Sequence, residues 1–548
     1  DSEGNCTRIT SSLGADIRHT YDREGNLQTM QAGESWQASW VRDNTGLEVQ
    51  RTFSGGVTVR TERDCFGREI RKSVRSGGME QGAYRYQWGI ANRLLSKENE
   101  LTGTVTRYDY DRFDFLIRQE TMQGSETDVI YRTPDFVGNL FETPDKKDRK
   151  YGAGGKLLED PDCFYHYDDE GNLIFREFKQ LQETGVRFDR KRMEKERGIR
   201  CLATGTGWLY EWSSNGMLKK VIRPDGRSVE FRYDALGRRT AKQYFGKVTR
   251  WVWDGNVPIH EWNYKVTDMQ SDEKESTPLK EPTKDITTWV FEADTFVPTA
   301  KIQDGKQYSI VSDYLGTPIQ MYDEEGNKTW DCTLNAYGKT TTFEGRSLNE
   351  CPFRYQGQYE DRETGLYYNR FRYYDSSNGN YISQDPIRLR GGLNIYNYVH
   401  DSNLWIDIFG LNRRGKQTTI DHIEEVKECF LKDNPKYTHI GGGKDISGKQ
   451  LPEIYIRSSN PVPKSTKGGS YADLTFESPD GQIVHINTVD RGNYNNSGMS
   501  RREYVNANRI QADAPDSIVI TVRKGDTVSA GDLDIQKQNM KKGKIHNH

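Results

Sequence analysis

Three polar side chains near the carboxyl end of the chain fall on one face of two strand-like segments. In residues 472–477 (Ala-Asp-Leu-Thr-Phe-Glu) and 483–489 (Ile-Val-His-Ile-Asn-Thr-Val), polar and apolar residues alternate. Because successive side chains of a strand point to opposite faces, Asp473, His485 and Asn487 share a face. Carboxylate oxygens are ligands for Mg²⁺, which can activate water. From the residues alone, a solvated strand aspartate and a satisfied sheet histidine remain the better interpretation.

The elements that must position these residues alternate between helix and strand. The predicted order is a helix (419–431), three strands (453–457, 472–477 and 483–489), a helix (500–512) and a last strand (517–522). The first helix has apolar residues at helical spacing and ends before Asn434-Pro435, and residues 478–481 form a hairpin turn. The sequence therefore predicts a small α/β domain of order αβββαβ. Lys and Arg outnumber Asp and Glu in this segment, which weakly supports a phosphate-bearing partner.

The upstream region, residues 1–383, is dominated by a repeated sequence. Copies of Tyr-Asp-x-x-Gly occur at 21–27, 167–173, 233–238 and 322–327, with degenerate forms at 108–109 and 253–256. An Asp followed by Gly-Asn makes a tight turn that tolerates positive φ, here between aromatic and β-branched strand residues. Each unit therefore predicts a β-hairpin that cannot bury its own face. Stacking of many such hairpins predicts a long, winding sheet.

Composition agrees with a mainly β protein. Apolar residues make up 33% of the 548 residues, Gly numbers 52, and Tyr at 31 exceeds Phe at 20, which suits a broad, thin sheet with many turns. The net charge of −3 implies no global preference for nucleic acid or membrane. No apolar run of roughly 18 residues predicts a spanning helix. The seven cysteines form no Cys-x-x-Cys pair, so neither a disulfide framework nor a zinc site is indicated.

Two charged stretches interrupt the array, and the chain has an unusual start. Residues 265–285 are polar without apolar periodicity, which predicts a long surface loop. Residues 190–197 are either a short helix or a loop, with a solvated face in both cases. The chain begins at Asp1 rather than Met, so we expect a fragment or a processed piece.

Residues 384–411 resemble the terminal core motif of Rhs (YD-repeat) polymorphic toxins. The resemblance depends on residues 391–398 (Gly-Gly-Leu-Asn-Ile-Tyr-Asn-Tyr) and on the closing Ile-Asp-Ile-Phe-Gly-Leu at 406–411. Residues 287–292 and 312–318 also look like the Rhs core just upstream of its end. The resemblance implies three parts: a β-sheet that spirals into a hollow shell (1–383), an autoprotease motif (384–411) and an enclosed C-terminal toxin domain (412–548).

The same resemblance implies that Asp385 and Asp407 form an aspartyl-protease-like pair that cuts the bond between Leu411 and Asn412. Such a pair needs two carboxylates close enough to share a proton, so that one acts as acid and the other as base towards water. Without the resemblance, both would be interpreted as ordinary turn aspartates. The chain departs from the family pattern at three places, none of which removes a carboxylate: Arg388 for Gly, residues 400–403 for an Asn-Pro segment, and Ile408 for Pro.

The predicted order of elements in the C-terminal domain resembles the core of the PD-(D/E)XK nuclease superfamily. This resemblance implies that Asp473 binds a metal, with Mg²⁺ or another divalent ion as cofactor. The ExK pair of the superfamily falls on His485 and Asn487, so neither its carboxylate nor its lysine is present. Candidates for the missing functions are Glu425 on the first helix and Arg502 and Glu503 on the second.

Together the resemblances imply an interbacterial toxin that is made in the bacterial cytoplasm, secreted, and active in the cytoplasm of a target cell. Its released C-terminal domain is expected to be a metal-dependent nuclease that degrades the DNA of that cell. Implied partners are a cognate immunity protein, type VI secretion spike or adaptor proteins, and nucleic acid as substrate. The alternatives are a toxin domain of another class, such as an RNase, a deaminase or an ADP-ribosyltransferase, and a non-enzymatic cargo. The chain does not combine His-x-Glu with Cys-x-x-Cys, which argues against a zinc deaminase.

Overall fold

In the computed structural model, the chain divides into two compact units, Asp1–Arg414 and Gly415–His548. The structure describes residues 1, 5–23, 25–182, 185–269, 281–388, 394–411, 417–443, 451, 454–457, 469–489, 510, 514 and 516–523. The division between the units lies close to the predicted boundary after residue 411. Among the described residues, no helix is long and apolar enough to span a bilayer.

The first unit begins with a twelve-stranded sheet in which each strand pairs with the next in sequence. All of these pairs are antiparallel, which is the arrangement that consecutive hairpins produce. The strands are β1 (Arg8–Thr10), β2 (Asp16–Tyr21), β3 (Leu27–Ala32), β4 (Trp36–Arg42), β5 (Glu48–Phe53), β6 (Thr58–Arg63), β7 (Glu69–Ser76), β8 (Met79–Trp88), β9 (Leu94–Asn99), β10 (Thr104–Tyr110), β11 (Leu116–Gln123) and β12 (Glu126–Tyr131).

A short ribbon separates this sheet from a second, sixteen-stranded meander. The ribbon is β13 (Thr133–Pro134) and β14 (Leu140–Phe141). The second sheet contains β15 (Lys150–Tyr151), β16 (Leu157–Glu159), β17 (Cys163–Tyr167), β18 (Leu173–Phe178), β19 (Gly207–Trp212), β20 (Leu218–Ile222), β21 (Ser228–Tyr233), β22 (Arg239–Tyr244), β23 (Lys247–Asp254), β24 (Val257–Lys265), β25 (Thr287–Phe291), β26 (Pro298–Gln303), β27 (Lys306–Ser312), β28 (Pro318–Tyr322), β29 (Lys328–Leu334) and β30 (Thr340–Gly345). Between β18 and β19 the charged stretch forms helix α1 (Arg190–Arg197). Of the predicted loop at 265–285, residues 270–280 lie outside the described residues.

Each repeat turn is closed by its own aspartate. In the copy at 233–238, Asp234 Oδ1 accepts hydrogen bonds from the backbone N–H groups of Leu236 (2.9 Å) and Arg238 (2.8 Å). Gly237 takes a φ of +74°, a conformation that favours glycine. The Tyr233 hydroxyl donates to the carbonyl oxygen of Leu218, 15 residues upstream. The repeat therefore encodes both a turn and a link to the preceding hairpin, as the sequence predicted for the turn.

The two sheets pack face to face. One core joins Trp36 and Val74 of the first sheet to Val290 and Ala300 of the second, and Trp36 Nε1 donates to Ser309 Oγ at 3.0 Å. Among the described strands, β1 does not pair with β12 and β15 does not pair with β30, so neither sheet closes on itself. The closed, hollow shell expected from the resemblance is therefore not formed by these strands. Their apolar faces cover each other instead, because burial of apolar surface is favourable.

A third, four-stranded sheet ends the first unit. It is formed by β31 (Tyr359–Asp361), β32 (Leu366–Asn369), β33 (Arg372–Asp375) and β34 (Asn380–Tyr381), again in sequence order. Leu366, Tyr368 and Tyr373 of this sheet share a core with Val221 and Val229 of the second sheet. These strands are buried on both faces, so they position polar side chains away from water.

The second unit contains a four-stranded mixed sheet in the order β35-β38-β39-β40, in which only β39 and β40 are parallel. Its elements are α2 (Gln417–Asp433), β35 (Thr438–Gly441), β36 (Tyr455–Arg457), β37 (Gly469–Tyr471), β38 (Leu474–Glu477), β39 (Ile483–Val489) and β40 (Ile518–Arg523). Val426 and Phe430 of α2 pack against Phe476 and Val484 of the sheet.

The predicted order αβββαβ of this unit is not confirmed. The segment predicted as the first strand, 453–457, pairs with β37 in a separate two-stranded ribbon, whereas the unpredicted β35 pairs with β38. β35 is only four residues long and includes Gly, so its strand signal is weak. Of the second predicted helix, 500–512, only Ile510 lies within the described residues.

Candidate active site

The structure brings Asp385 and Asp407 together around one guanidinium. Asp385 follows β34 and Asp407 lies near the end of the first unit, and both are almost fully buried, at 3% and 1% exposure. Arg372, at the start of β33, places the same Nη2 atom 3.1 Å from Asp385 Oδ2 and 3.2 Å from Asp407 Oδ2. The two carboxylate oxygens are therefore no farther apart than the sum of these distances. A shared cation offsets the repulsion that would otherwise separate two buried carboxylates.

Arg372 is itself held from several directions. Its Nε donates to the carbonyl oxygen of Gly410, and its Nη1 donates to that of Ile395 at 3.1 Å. Its guanidinium carbon lies 3.7 Å from the centre of the Tyr381 ring, a cation–π contact. The Asp385 N–H donates to the same Ile395 carbonyl at 2.8 Å. Arg372 and Asp385 thus donate hydrogen bonds to the same backbone carbonyl, which holds them next to each other.

The segment that contains the predicted scissile bond lies alongside residues 369–372. The carbonyl oxygens of Asp407 and Phe409 accept hydrogen bonds from Asn369 Nδ2 (2.8 Å) and from the N–H of Phe371 (3.2 Å). The N–H of Leu411 donates to Asp407 Oδ1 at 3.0 Å. The Asp407 carboxylate therefore contacts the N–H of Leu411, the residue whose carbonyl carbon belongs to the predicted scissile bond. Asn412 lies outside the described residues.

Backbone conformation explains two residue choices in this motif. Gly410 has a φ of +65°, and a Cβ added there would lie 2.7 Å from the carbonyl oxygen of Asn369. Only glycine fits this position without strain. Arg388, which stands where the resembled family has Gly, has a φ of +54°, a conformation that is uncommon for a residue with a side chain. Arg388 therefore adopts, with backbone strain, a conformation that glycine adopts freely.

Sequence reasoning missed three residues of this site: Asn369, Arg372 and Tyr381. The Tyr381 hydroxyl donates to Asp407 Oδ2 at 2.9 Å, and Asn369 Nδ2 donates to the Tyr381 oxygen at 2.7 Å. Arg and Tyr are frequent throughout the array, so neither residue type marks the site. The one available signal was the dense Tyr-Tyr-Asn-Arg-Phe-Arg-Tyr-Tyr-Asp run at 367–375, which is too apolar and aromatic for an exposed hairpin.

In the second unit, Asp473 and Asn487 are in direct contact. Asn487 Oδ1 accepts a hydrogen bond from the Asp473 N–H at 3.3 Å. The Asp473 carboxylate accepts hydrogen bonds at Oδ2 from the N–H and the hydroxyl of Thr488, at 2.7 and 2.8 Å. Among the described residues there is no group of three His, Cys, Asp or Glu side chains that could hold a metal ion. Binding of Mg²⁺ at Asp473 stays a prediction, since Mg²⁺ requires several oxygen ligands and the other candidate carboxylate side chains are not among those that the structure describes.

His485 is buried and neutral in this unit. Its Nδ1 lies 3.0 Å from Thr475 Oγ1, and burial lowers the pKa of His485 to about 4. The sequence predicted Ala472 on the apolar face with Leu474, but Ala472 packs with Ile510 and Val519 instead. The chain changes direction at Asp473 before β38 begins, so the alternation does not extend back to Ala472. Glu503 and Arg502 lie outside the described residues, and of Glu425 only its place on α2 is described.

The long antiparallel meander of Tyr-Asp turns defines a YD-repeat protein. The family model described as Teneurin YD-shell matches residues 6–401. The chain therefore belongs to the Teneurin YD-shell family.

Curated bacterial relatives share this region. The chain is 29% identical over 412 residues to "Double-stranded DNA deaminase toxin A" of Burkholderia cenocepacia, a match covering 71% of the chain and 27% of the relative. It is 27% identical to "Probable deoxyribonuclease RhsA" of Dickeya dadantii, over 71% of the chain and 25% of the relative. It is 26% identical to "Toxin protein Tse5" of Pseudomonas aeruginosa, over 73% of the chain and 34% of the relative. The chain thus spans about a quarter to a third of the length of these relatives.

Solved structures with similarity include the complex described as "TcdB2-TccC3-Cdc42". The alignment has 19% sequence identity and a TM-score of 0.36, and it covers 74% of this chain and 24% of that one. A Photorhabdus luminescens Tc holotoxin pore carrying TccC3-D651A aligns with 18% identity and a TM-score of 0.36, over 75% of this chain and 24% of that one. Both TM-scores are below the level at which two chains share an overall fold.

Proposed function

We propose that this chain is part of an Rhs-type bacterial toxin whose terminal core segment cuts its own backbone after Leu411. One observation carries this proposal: a single guanidinium nitrogen of Arg372 holds both predicted carboxylates, next to the segment that contains the bond. The names of the curated relatives, which include toxins and deoxyribonucleases, support the toxin class. In this function the folded array serves as a scaffold that buries the aspartate pair away from bulk water.

The proposed reaction is hydrolysis of the Leu411–Asn412 peptide bond. One aspartate of the pair removes a proton from water as the water oxygen bonds to the Leu411 carbonyl carbon, and the other donates a proton to the carbonyl oxygen. Collapse of the tetrahedral intermediate breaks the C–N bond, and the Asn412 nitrogen leaves with a proton as a free amine. Arg372 keeps the two carboxylates within reach of one water molecule by offsetting their repulsion.

The test is whether the folded chain has been cut, which the masses of its fragments show. The purified wild-type chain should contain two fragments whose masses correspond to residues 1–411 and 412–548, measured by denaturing electrophoresis and mass spectrometry. The Asp385→Asn and Asp407→Asn variants should remain intact. A matched control is Asp361→Asn, which removes another buried, arginine-paired carboxylate of the same unit and should still be cut. Cleavage in either aspartate variant at the wild-type rate would contradict the proposal.

We further propose that the released domain, 412–548, attacks nucleic acid in a target cell. Support comes from the relatives named as deoxyribonucleases and as a DNA deaminase, and from the excess of basic residues in this segment. The implied setting is a toxin made in one bacterial cytoplasm and active in another, with an immunity protein and a type VI secretion apparatus as partners. No step through a metal is assigned, because the described residues include no complete set of metal ligands.

A cleavage assay separates the candidate activities. The chain is incubated with plasmid DNA and with RNA in the presence of Mg²⁺, Mn²⁺ or EDTA. The matched pair of variants is Asp473→Ala and Asp480→Ala, the latter in an exposed hairpin turn. Strand breaks that require metal and disappear only in Asp473→Ala support a metal-dependent nuclease. Intact strands with deaminated bases would favour a deaminase, and unchanged nucleic acid would favour another target or a non-enzymatic cargo.

A further inference from the structure

Tyr381 lies next to the aspartate pair and contacts both Asp407 and Arg372. It lies in β34 with 2% of its surface exposed, and its hydroxyl is 2.9 Å from Asp407 Oδ2. Its ring lies against the Arg372 guanidinium, which contacts both aspartates. The ring of Tyr381 therefore contacts the Arg372 guanidinium, while its hydroxyl contacts Asp407.

The direction of the hydrogen bond from Tyr381 to Asp407 is fixed by Asn369. Asn369 Nδ2 lies 2.8 Å from the Asp407 carbonyl oxygen, which can only accept, so this atom must be the amide nitrogen. The same nitrogen lies 2.7 Å from the Tyr381 oxygen and donates its second hydrogen there. The hydroxyl proton of Tyr381 is then directed at Asp407 Oδ2. The hydrogen bonds thus run in one direction: Asn369 donates to the Tyr381 oxygen, and the Tyr381 hydroxyl donates to Asp407.

The Tyr381 hydroxyl keeps its proton under all relevant conditions. Burial and the neighbouring Asp407 raise the pKa of Tyr381 well above its usual value. Tyr381 is therefore a permanent donor rather than a group that titrates with the pair. A donor that never loses its proton favours the ionised form of the carboxylate that accepts from it. The N–H of Leu411 acts in the same direction on the other oxygen of Asp407.

We infer that Tyr381 is a positioning residue that holds Asp407 ionised as the base of the self-cleavage reaction. This inference rests on the proposed function, since it assigns roles within the same pair. Asp407 then takes the proton from water, and Asp385 supplies the proton that goes to the Leu411 carbonyl oxygen. The Arg372 guanidinium remains in contact with both carboxylates throughout. Asn369 contributes by orienting the Tyr381 hydroxyl.

The test is the pH profile of cleavage in Tyr381→Phe, which removes the hydroxyl and keeps the ring against Arg372. The uncut full chain is isolated from inclusion bodies in urea, before it can fold, and is diluted into buffers between pH 4 and 8, where the appearance of the 1–411 fragment is timed. Tryptophan fluorescence follows refolding in the same samples. Loss of a donor to ionised Asp407 makes Asp407 easier to protonate. The rate should therefore fall roughly tenfold at acidic pH, and the acidic limb should move up by about one pH unit.

Tyr374→Phe is the matched control, because Tyr374 belongs to the same aromatic cluster but donates to the carbonyl oxygen of Tyr337. Its profile should coincide with that of the wild type. A second variant, Asn369→Ala, should shift the acidic limb in the same direction. The inference is overturned if Asp407→Asn is inert while Tyr381→Phe and Asn369→Ala match the wild type at every pH. If Asp407→Asn is cut normally, the proposed function itself fails.

Discussion

Replacing Arg372 by Met should weaken the first unit and abolish self-cleavage. The change removes the cation from between Asp385 and Asp407 while it retains most of the buried volume. Removing one partner of a buried ion pair costs about 3–5 kcal/mol, because an uncompensated charge stays behind. Here two carboxylates lose the same partner, and the carbonyl oxygens of Gly410 and Ile395 lose a donor. We therefore expect a loss at or above the upper end of this range.

The assay is urea unfolding followed by tryptophan fluorescence. All 11 tryptophans lie before residue 412, so the signal reports the first unit alone. A rescue is also expected: adding Asp385→Asn and Asp407→Asn to Arg372→Met removes the carboxyl groups that have lost their partner and should restore most of the lost stability without restoring cleavage. An Arg372→Met protein as stable as the wild type, or a triple variant no better than the single one, would refute the argument that charge compensation holds this site together.

Three further predictions concern single residues of the first unit. Although burial opposes its ionisation, hydrogen bonds from His166 and three backbone N–H groups lower the pKa of Glu177 to about 2. Glu177→Gln should therefore lower the thermal midpoint of unfolding at pH 7. The difference from the wild type should vanish as the pH falls from about 4.5 towards 2. Burial raises the pKa of Asp401 to about 7, so its ionisation opposes folding as the pH rises above about 4; Asp401→Asn should raise the midpoint at pH 8 and leave it unchanged at pH 4. Gly410→Ala should stop cleavage and cost about 1 kcal/mol or more in urea unfolding, because its Cβ would meet the Asn369 carbonyl at a positive φ; cleavage at the wild-type rate would contradict this.

The array could be predicted from the sequence because each repeat carries its own structural instructions. Asp234 bonds to N–H groups two and four residues ahead, and Gly237 supplies the left-handed conformation, all within one short segment. Such local interactions leave a signal in any single copy, and repetition makes the signal unmistakable. How the two sheets pack against each other was not encoded in this way. It depends on contacts such as Trp36 with Ser309, between residues 273 positions apart.

The candidate active site shows the same limit. Asp385 and Asp407 could be identified through a family resemblance, but their neighbours could not. Arg372 is one of many arginines, and its role depends on a strand pairing that puts it between two later segments. Tyr381 is one of 31 tyrosines, and only its contact with Asp407 distinguishes it. The family resemblance therefore predicted the carboxylates, whereas the groups that control their charge required the fold.

In the second unit, alternation predicted which residues share a face but not what that face contacts. Thr475 and His485 stand opposite each other in the register of β38 and β39, as the pattern requires. Both are nevertheless buried, because a sheet in an α/β unit is covered on two sides and its polar face need not meet water. If this unit cuts nucleic acid, we expect the loss of the half-buried Asp473 to matter more than the loss of the buried His485.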